Sequence, residues 1–108
     1  MQTLTKNEIT LGSVDQIPRG EGREFETGGK LIAVFRSRDG NVYATQANCP
    51  HREGPLADGL IGGAEVICPF HNWKFDLATG QPRSATTTCA IETYPVTVDG
   101  DGTIRVTV

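Results

Sequence analysis

Apolar positions in this chain come in short runs, with none of the sustained 3.6-residue spacing of a long helix. Thr103-Ile104-Arg105-Val106-Thr107-Val108 alternates with period two. Thr93-Tyr94-Pro95-Val96-Thr97-Val98 also alternates, and stops at Asp99-Gly100-Asp101-Gly102. Trp73-Lys74-Phe75-Asp76-Leu77 alternates and stops at Ala78-Thr79-Gly80, while Glu65-Val66-Ile67 leads into Cys68. Lys30-Leu31-Ile32-Ala33-Val34-Phe35-Arg36 is a continuous apolar run between Gly28-Gly29 and Arg38-Asp39-Gly40-Asn41, and Val42-Tyr43-Ala44-Thr45 follows at once. Period two marks a half-buried strand. Asp39-Gly40 between two such runs predicts a hairpin, since its turn needs positive φ. With 13 Gly and 6 Pro spread throughout, few windows suit a helix. One helical turn is expected at Ser13-Val14-Asp15-Gln16-Ile17, with Ser13 as cap and Pro18 as stop. Gln81 to Thr88 is polar and reads as a loop. The pattern predicts an all-β sandwich or barrel of short strands.

The chain of 108 residues has room for one domain, spanning 1–108. Its 37% apolar and 21% charged residues are a globular mixture. The net charge is -3, with no basic cluster, so nucleic acid and anionic lipid are not expected partners. No run approaches the ~20 apolar residues of a membrane span, and Met1 to Leu11 lacks the apolar core of a signal peptide. A cytoplasmic, membrane-free protein is the expectation. Asp99 to Asp101 reads as a plain turn and not as a calcium loop.

Three Cys and two His are present. An odd Cys count in a reducing compartment argues against a disulfide framework. Both histidines and two of the cysteines fall in two short clusters, Cys49-Pro50-His51 and Cys68-Pro69-Phe70-His71, separated by sixteen residues. Each loop offers one thiolate and one imidazole, so two loops that meet make a four-ligand site. Soft sulfur with imidazole suits an iron-sulfur cluster or zinc. A structural zinc site would more commonly begin with two cysteines and place its histidines together, a poorer match to two mixed loops. Two buried thiols and two surface histidines are the bland alternative. Cys89 lies apart and reads as a buried core thiol.

The pattern C-x-H, sixteen residues, C-x-x-H resembles the Rieske [2Fe-2S] signature. The likeness extends through Arg52-Glu53-Gly54-Pro55-Leu56 after the first pair and Asn72-Trp73-Lys74-Phe75-Asp76-Leu77-Ala78-Thr79-Gly80 after the second, and to Tyr94-Pro95-Val96. The resemblance implies a three-layer antiparallel β-sandwich with a cluster-binding subdomain of two loops at its tip. It implies one [2Fe-2S] cluster, with Cys49 and Cys68 on one iron and His51 and His71 on the other through Nδ1. Two ferric ions, two sulfides and two thiolates sum to zero charge, where four thiolates would leave -2. The less negative centre accepts an electron more readily. Reduction also favours protonation of the outer imidazole nitrogens.

Departures from the family's high-potential branch narrow the reading. That branch has two further cysteines bracing the loops; here those positions hold Gly54 and Phe70. The Ser and Tyr that donate hydroxyls to the cluster sulfurs correspond to Trp73 and Phe75, which have none. Hydrogen bonds to sulfur stabilise the reduced state, so a low potential is expected, on the order of -150 mV. Asn72 stands where the family usually has Gly, and tolerates positive φ next best. Pro50, Pro55 and Pro69 would stiffen the loops. Phe70 and Trp73 would shield the centre; Arg52 and Lys74 flank it as docking charges or as ordinary solvated side chains. With both histidines committed, no ligands remain for an oxygenase's second iron, and no G-x-G-x-x-G occurs for a nicotinamide. The expectation is an electron carrier, not itself an enzyme, between a reductase and a terminal oxygenase. The alternative within the family is the small subunit of an assimilatory NAD(P)H nitrite reductase, which Ile32-Ala33-Val34-Phe35-Arg36 and Tyr94-Pro95-Val96 also resemble. A structural zinc-binding interaction module is the alternative outside it.

Overall fold

In the computed structural model the described residues are 8–27, 30–48, 55–68, 74–83 and 90–107. In chain order their strands are β1 (Glu8–Ser13), β2 (Glu21–Glu26), β3 (Leu31–Arg36), β4 (Val42–Gln46), β5 (Leu60–Gly62), β6 (Glu65–Ile67), β7 (Lys74–Asp76), β8 (Thr93–Tyr94), β9 (Val96–Val98) and β10 (Thr103–Thr107). Short 3-10 turns occupy Val14–Gln16 and Leu56–Asp58. Every strand pairing is antiparallel. Three sheets result, ordered β1-β10-β9, β2-β3-β4-β8 and β5-β6-β7. This is the all-β class expected from the residue pattern, and the antiparallel sandwich that the resemblance implies.

The unbroken apolar run of β3 has a direct cause. Its side chains alternate between two cores. Ile32 and Val34 pack with Ile17, Ala44, Ile104 and Val106, between the first two sheets. Ala33 and Phe35 face the other way, into a cluster with Leu56, Val66, Cys68, Phe75, Leu77 and Ile91. A strand covered on both faces has no polar side to display. β10, covered on one face only, keeps its alternation: Ile104 and Val106 are buried, while Thr103, Arg105 and Thr107 are half-exposed.

The turn chemistry also follows the sequence. Ser13 Oγ accepts from the Asp15 N–H at 3.1 Å and caps the turn at Val14–Gln16. β3 and β4 pair from Arg36↔Val42 inward, and Gly40 sits at φ +95° in the connecting loop. The Asp101 carboxylate accepts from the Thr103 N–H at 3.1 Å, which makes Asp99 to Asp101 the turn that was expected.

Two features depart from the pattern. Thr93 to Val98 is not one strand. Pro95 divides it, and β8 pairs with β4 while β9 pairs with β10 in another sheet. Proline has no N–H to extend a ladder; its carbonyl instead accepts from Thr107 N at 2.9 Å. β1, β2 and β5 fall where the residue pattern named no strand; β1 alternates over Glu8-Ile9-Thr10-Leu11 alone, and β2 has one large apolar residue, Phe25. β1 and β2 are sheet edges, where charge and glycine guard against further pairing, and β5 has only three residues. The segment 28–29, part of 81–88 and Cys89 lie outside the described residues.

Candidate metal centre

The segment 49–54, the first of the two expected to carry ligands, is flanked by residues that are tied down on both sides. β4 ends at Gln46, and an isolated bridge joins Asn48 to Pro55 across the segment 49–54. Beneath it, the Leu56 N–H donates to Ala47 O at 2.9 Å. Gln46 ties this entrance down three ways. Its side-chain amide donates to Asn48 O at 2.7 Å, its Oε1 accepts from Glu92 N at 2.7 Å, and its own N–H donates to Glu92 O at 3.0 Å. Leu56 then enters the same apolar cluster as Cys68. At Gly59, which follows the Leu56–Asp58 turn, a Cβ would lie inside the contact distance of the Ile67 carbonyl oxygen. Only glycine lets the exit of the first loop run this close to the strand that feeds the second.

The second loop springs from a three-pair ladder: Glu65↔Asp76, Val66↔Phe75 and Ile67↔Lys74. Val66 and Phe75 point into the cluster around Cys68 and are fully buried. Cys68 is 1% exposed, one residue beyond β6. After β7 the chain folds back and braces the ladder. A bridge joins Phe75 to Pro82, Asp76 N donates to Gln81 O at 2.9 Å, and Arg83 N donates to Lys74 O at 2.7 Å. The Asp76 Oδ1 accepts from the Ala78 and Thr79 N–H groups at 2.8 and 3.0 Å. Its Oδ2 accepts from Arg83 Nη2 at 2.7 Å, and Arg83 Nε reaches Glu65 Oε2 at 3.3 Å. Arg83 first, then these backbone donors, holds the Asp76 carboxyl below the usual carboxylate range.

Of the residues singled out by sequence, the structure describes Cys68, Phe75 and Lys74. Cys49, His51 and His71 lie outside the described residues, as do Arg52, Gly54, Phe70, Asn72 and Trp73. Among the described residues no three metal-binding side chains converge. What is described is the footing of both loops, and it fits the donor set. The exit of the first loop and the cysteine of the second share one apolar cluster. Two soft thiolates and two imidazoles within the two loops match the ligand preference of a Rieske centre. Phe75 in that cluster has no hydroxyl to offer a sulfur. Sequence reading missed Gln46 and Arg83: neither belongs to a motif, and their partners, Glu92 and Glu65, are distant in the chain.

Comparison with known proteins decides the family. Residues 7–95 match the model of the Rieske [2Fe-2S] domain. The chain belongs to the Rieske [2Fe-2S] family. Its cofactor is therefore one [2Fe-2S] cluster. The ferredoxin component of the naphthalene 1,2-dioxygenase/salicylate 5-hydroxylase systems of Ralstonia sp is 35% identical over 96 residues, which cover 89% of this chain and 91% of that protein. Among solved structures, a chain in the complex of reduced oxygenase and oxidized ferredoxin of carbazole 1,9a-dioxygenase superposes with a TM-score of 0.80 at 29% identity. The match covers 91% of this chain and 99% of that one. A chain assigned as the small subunit of an NADH-dependent nitrite reductase of Mycobacterium tuberculosis shares the fold, with a TM-score of 0.86 at 23% identity, covering 96% of each. Among the described residues no helix is long and apolar enough to cross a membrane.

Proposed function

We propose that this Rieske protein is the ferredoxin component of a multicomponent oxygenase system, a one-electron carrier between a reductase and a terminal oxygenase. The observation that carries the reading is the near full-length relationship to dioxygenase ferredoxin components. The match covers 89% of this chain and 91% of the Ralstonia sp protein, so the likeness is to the ferredoxin component as a whole. In this reading Cys49, His51, Cys68 and His71 hold the cluster, which supplies one-electron redox chemistry. The chain's own part is to hold four donors at the end of a rigid β scaffold. Cys68 is rooted in the apolar cluster, Gln46 fastens the entrance of the first loop, and Phe75 withholds a hydrogen bond from sulfur. Arg52, Gly54, Phe70, Asn72 and Trp73 surround the ligands. Residues 1–108 act as one domain, in the cytoplasm, and contribute no catalytic group of their own.

A potentiometric titration of the purified holoprotein, followed by EPR and visible absorption, tests this. A rhombic Rieske signal at a negative midpoint potential is the expected result. A strongly positive potential would overturn the assignment to the ferredoxin branch, and a colourless protein containing zinc would overturn electron transfer itself. His71→Ala should abolish the signal and leave the far-ultraviolet circular dichroism of the β scaffold in place.

A further inference from the structure

The ladder beneath the second loop contains an electrostatic conflict. Glu65 and Asp76 are direct cross-strand partners, so their side chains emerge on the same face, away from buried Val66 and Phe75. Like charges placed directly opposite in an antiparallel pair repel. Here they make up one of only three pairs in the ladder. Arg83 spans them, with Nη2 at 2.7 Å from Asp76 and Nε at 3.3 Å from Glu65. The same residue's main-chain N–H holds the carbonyl of Lys74, where the chain returns from the segment that carries His71. Arg83 therefore acts on both β6, which delivers Cys68, and β7, which receives the chain after His71.

We propose that Arg83 is a positioning residue for cluster retention, a clamp that neutralises the Glu65/Asp76 pair and so keeps the base of the second ligand loop closed. The proposal rests on the reading of Cys68 and His71 as ligands. Without the guanidinium the two carboxylates repel and load the ladder at the pair farthest from the loop, where the Leu77 N–H to Ala64 O bond at 2.7 Å is the next one beyond it. The weakened ladder then lets the loop sample conformations in which iron is released. The main-chain bond from residue 83 survives any side-chain change, so the fold is retained in the variants. Arginine suits the task because its rigid fork reaches two acceptors at once, which a lysine ammonium does poorly.

The test compares wild-type holoprotein with Arg83→Gln, Arg83→Lys, Glu65→Gln and the double variant Glu65→Gln/Arg83→Gln. The rate at which a ferrous chelator bleaches the visible spectrum is read at low salt and at 1 M salt. Arg83→Gln should bleach roughly two- to fivefold faster at low salt, the scale of one cross-strand charge pair. The difference should shrink at high salt, where exposed charges are screened. Arg83→Lys should fall between. The decisive arm is the double variant: once Glu65 is neutral the conflict is gone, so its rate should return toward that of wild type. Glu65 is the carboxylate to remove, because Asp76 also caps the Ala78/Thr79 turn. A single Arg83→Gln variant that bleaches at the wild-type rate would overturn the clamp. A double variant as fast as the single one would overturn the charge mechanism. If wild type itself lacks a Rieske EPR signal, the ligand reading has failed instead, a separate outcome from either.

Discussion

Phe75 carries the sharpest consequence at the scale of single residues. Its ring is fully buried in the cluster that holds Cys68. On the reading of Cys68 as a ligand, Phe75→Tyr would introduce a hydroxyl into the cluster that holds its sulfur. A donor to sulfur favours the reduced state, so the midpoint potential should rise in a redox titration. An unchanged potential would mean that the hydroxyl does not reach sulfur, and an unpartnered buried hydroxyl should then lower stability by about 1–3 kcal/mol. Asp76 gives a pH signature. Its folded-state carboxyl titrates below its ordinary value, mainly through Arg83. A group depressed in this way adds stability above its unfolded pKa, about 3.9, and loses it as pH falls through the folded value. Asp76→Asn should therefore cost about 1 kcal/mol near neutrality, a modest figure because Arg83 is half-exposed and screened. The gap in urea midpoint should begin to close near pH 4 and vanish below the folded pKa; a gap constant from pH 7 to pH 3 would assign the loss to packing. Cys68 was legible as a ligand candidate from its neighbours in sequence. That Phe75 shares its cluster is a fact of packing.

Between elements, the governing contact is the passage of the Leu56–Asp58 turn against β6. Gly59 meets the Ile67 carbonyl so closely that a methyl group cannot be added without moving one backbone past another. Gly59→Ala should destabilise the protein by about 2 kcal/mol or more and accelerate cluster loss, because the displaced element is the exit of the first loop. Denaturant midpoints together with visible absorbance check this. A variant within about 0.5 kcal/mol of wild type would show that the contact relaxes freely. The strands that were legible, β3, β4, β6, β7 and β10, have apolar runs that a core demands. β1 and β2 were not: two alternating apolar residues in β1, Ile9 and Leu11, and one large apolar residue in β2, Phe25, are too few to mark a strand before its partner is known. Pro95 was visible, yet its effect was not. A proline can end a strand or hand the chain to another sheet, and the position of β10 decides which.

Over the whole molecule, β3 is common to two cores. Ile32 belongs to the cluster remote from the ligand loops, while its neighbour Ala33 belongs to the cluster of Cys68. The two halves should therefore unfold together. Ile32→Ala removes buried contacts on the remote side and should cost about 3 kcal/mol. Loss of visible absorbance and loss of circular dichroism should shift to lower denaturant as one coincident transition. Two separated transitions would show that the ligand-bearing half stands independently of the rest. Taken alone, the sequence determined the β class, the hairpin at Asp39-Gly40, the capped turn after Ser13 and the chemistry of the donor set. Each is a local matter: side-chain periodicity, the φ a turn requires, the softness of a ligand. Tertiary structure alone decided that Phe35, Phe75 and Cys68 share one cluster, that Gln46 fastens the first loop, and that Arg83 stands between Glu65 and Asp76. Those arrangements depend on which strands become neighbours, and strand pairing is settled by the burial of the whole chain.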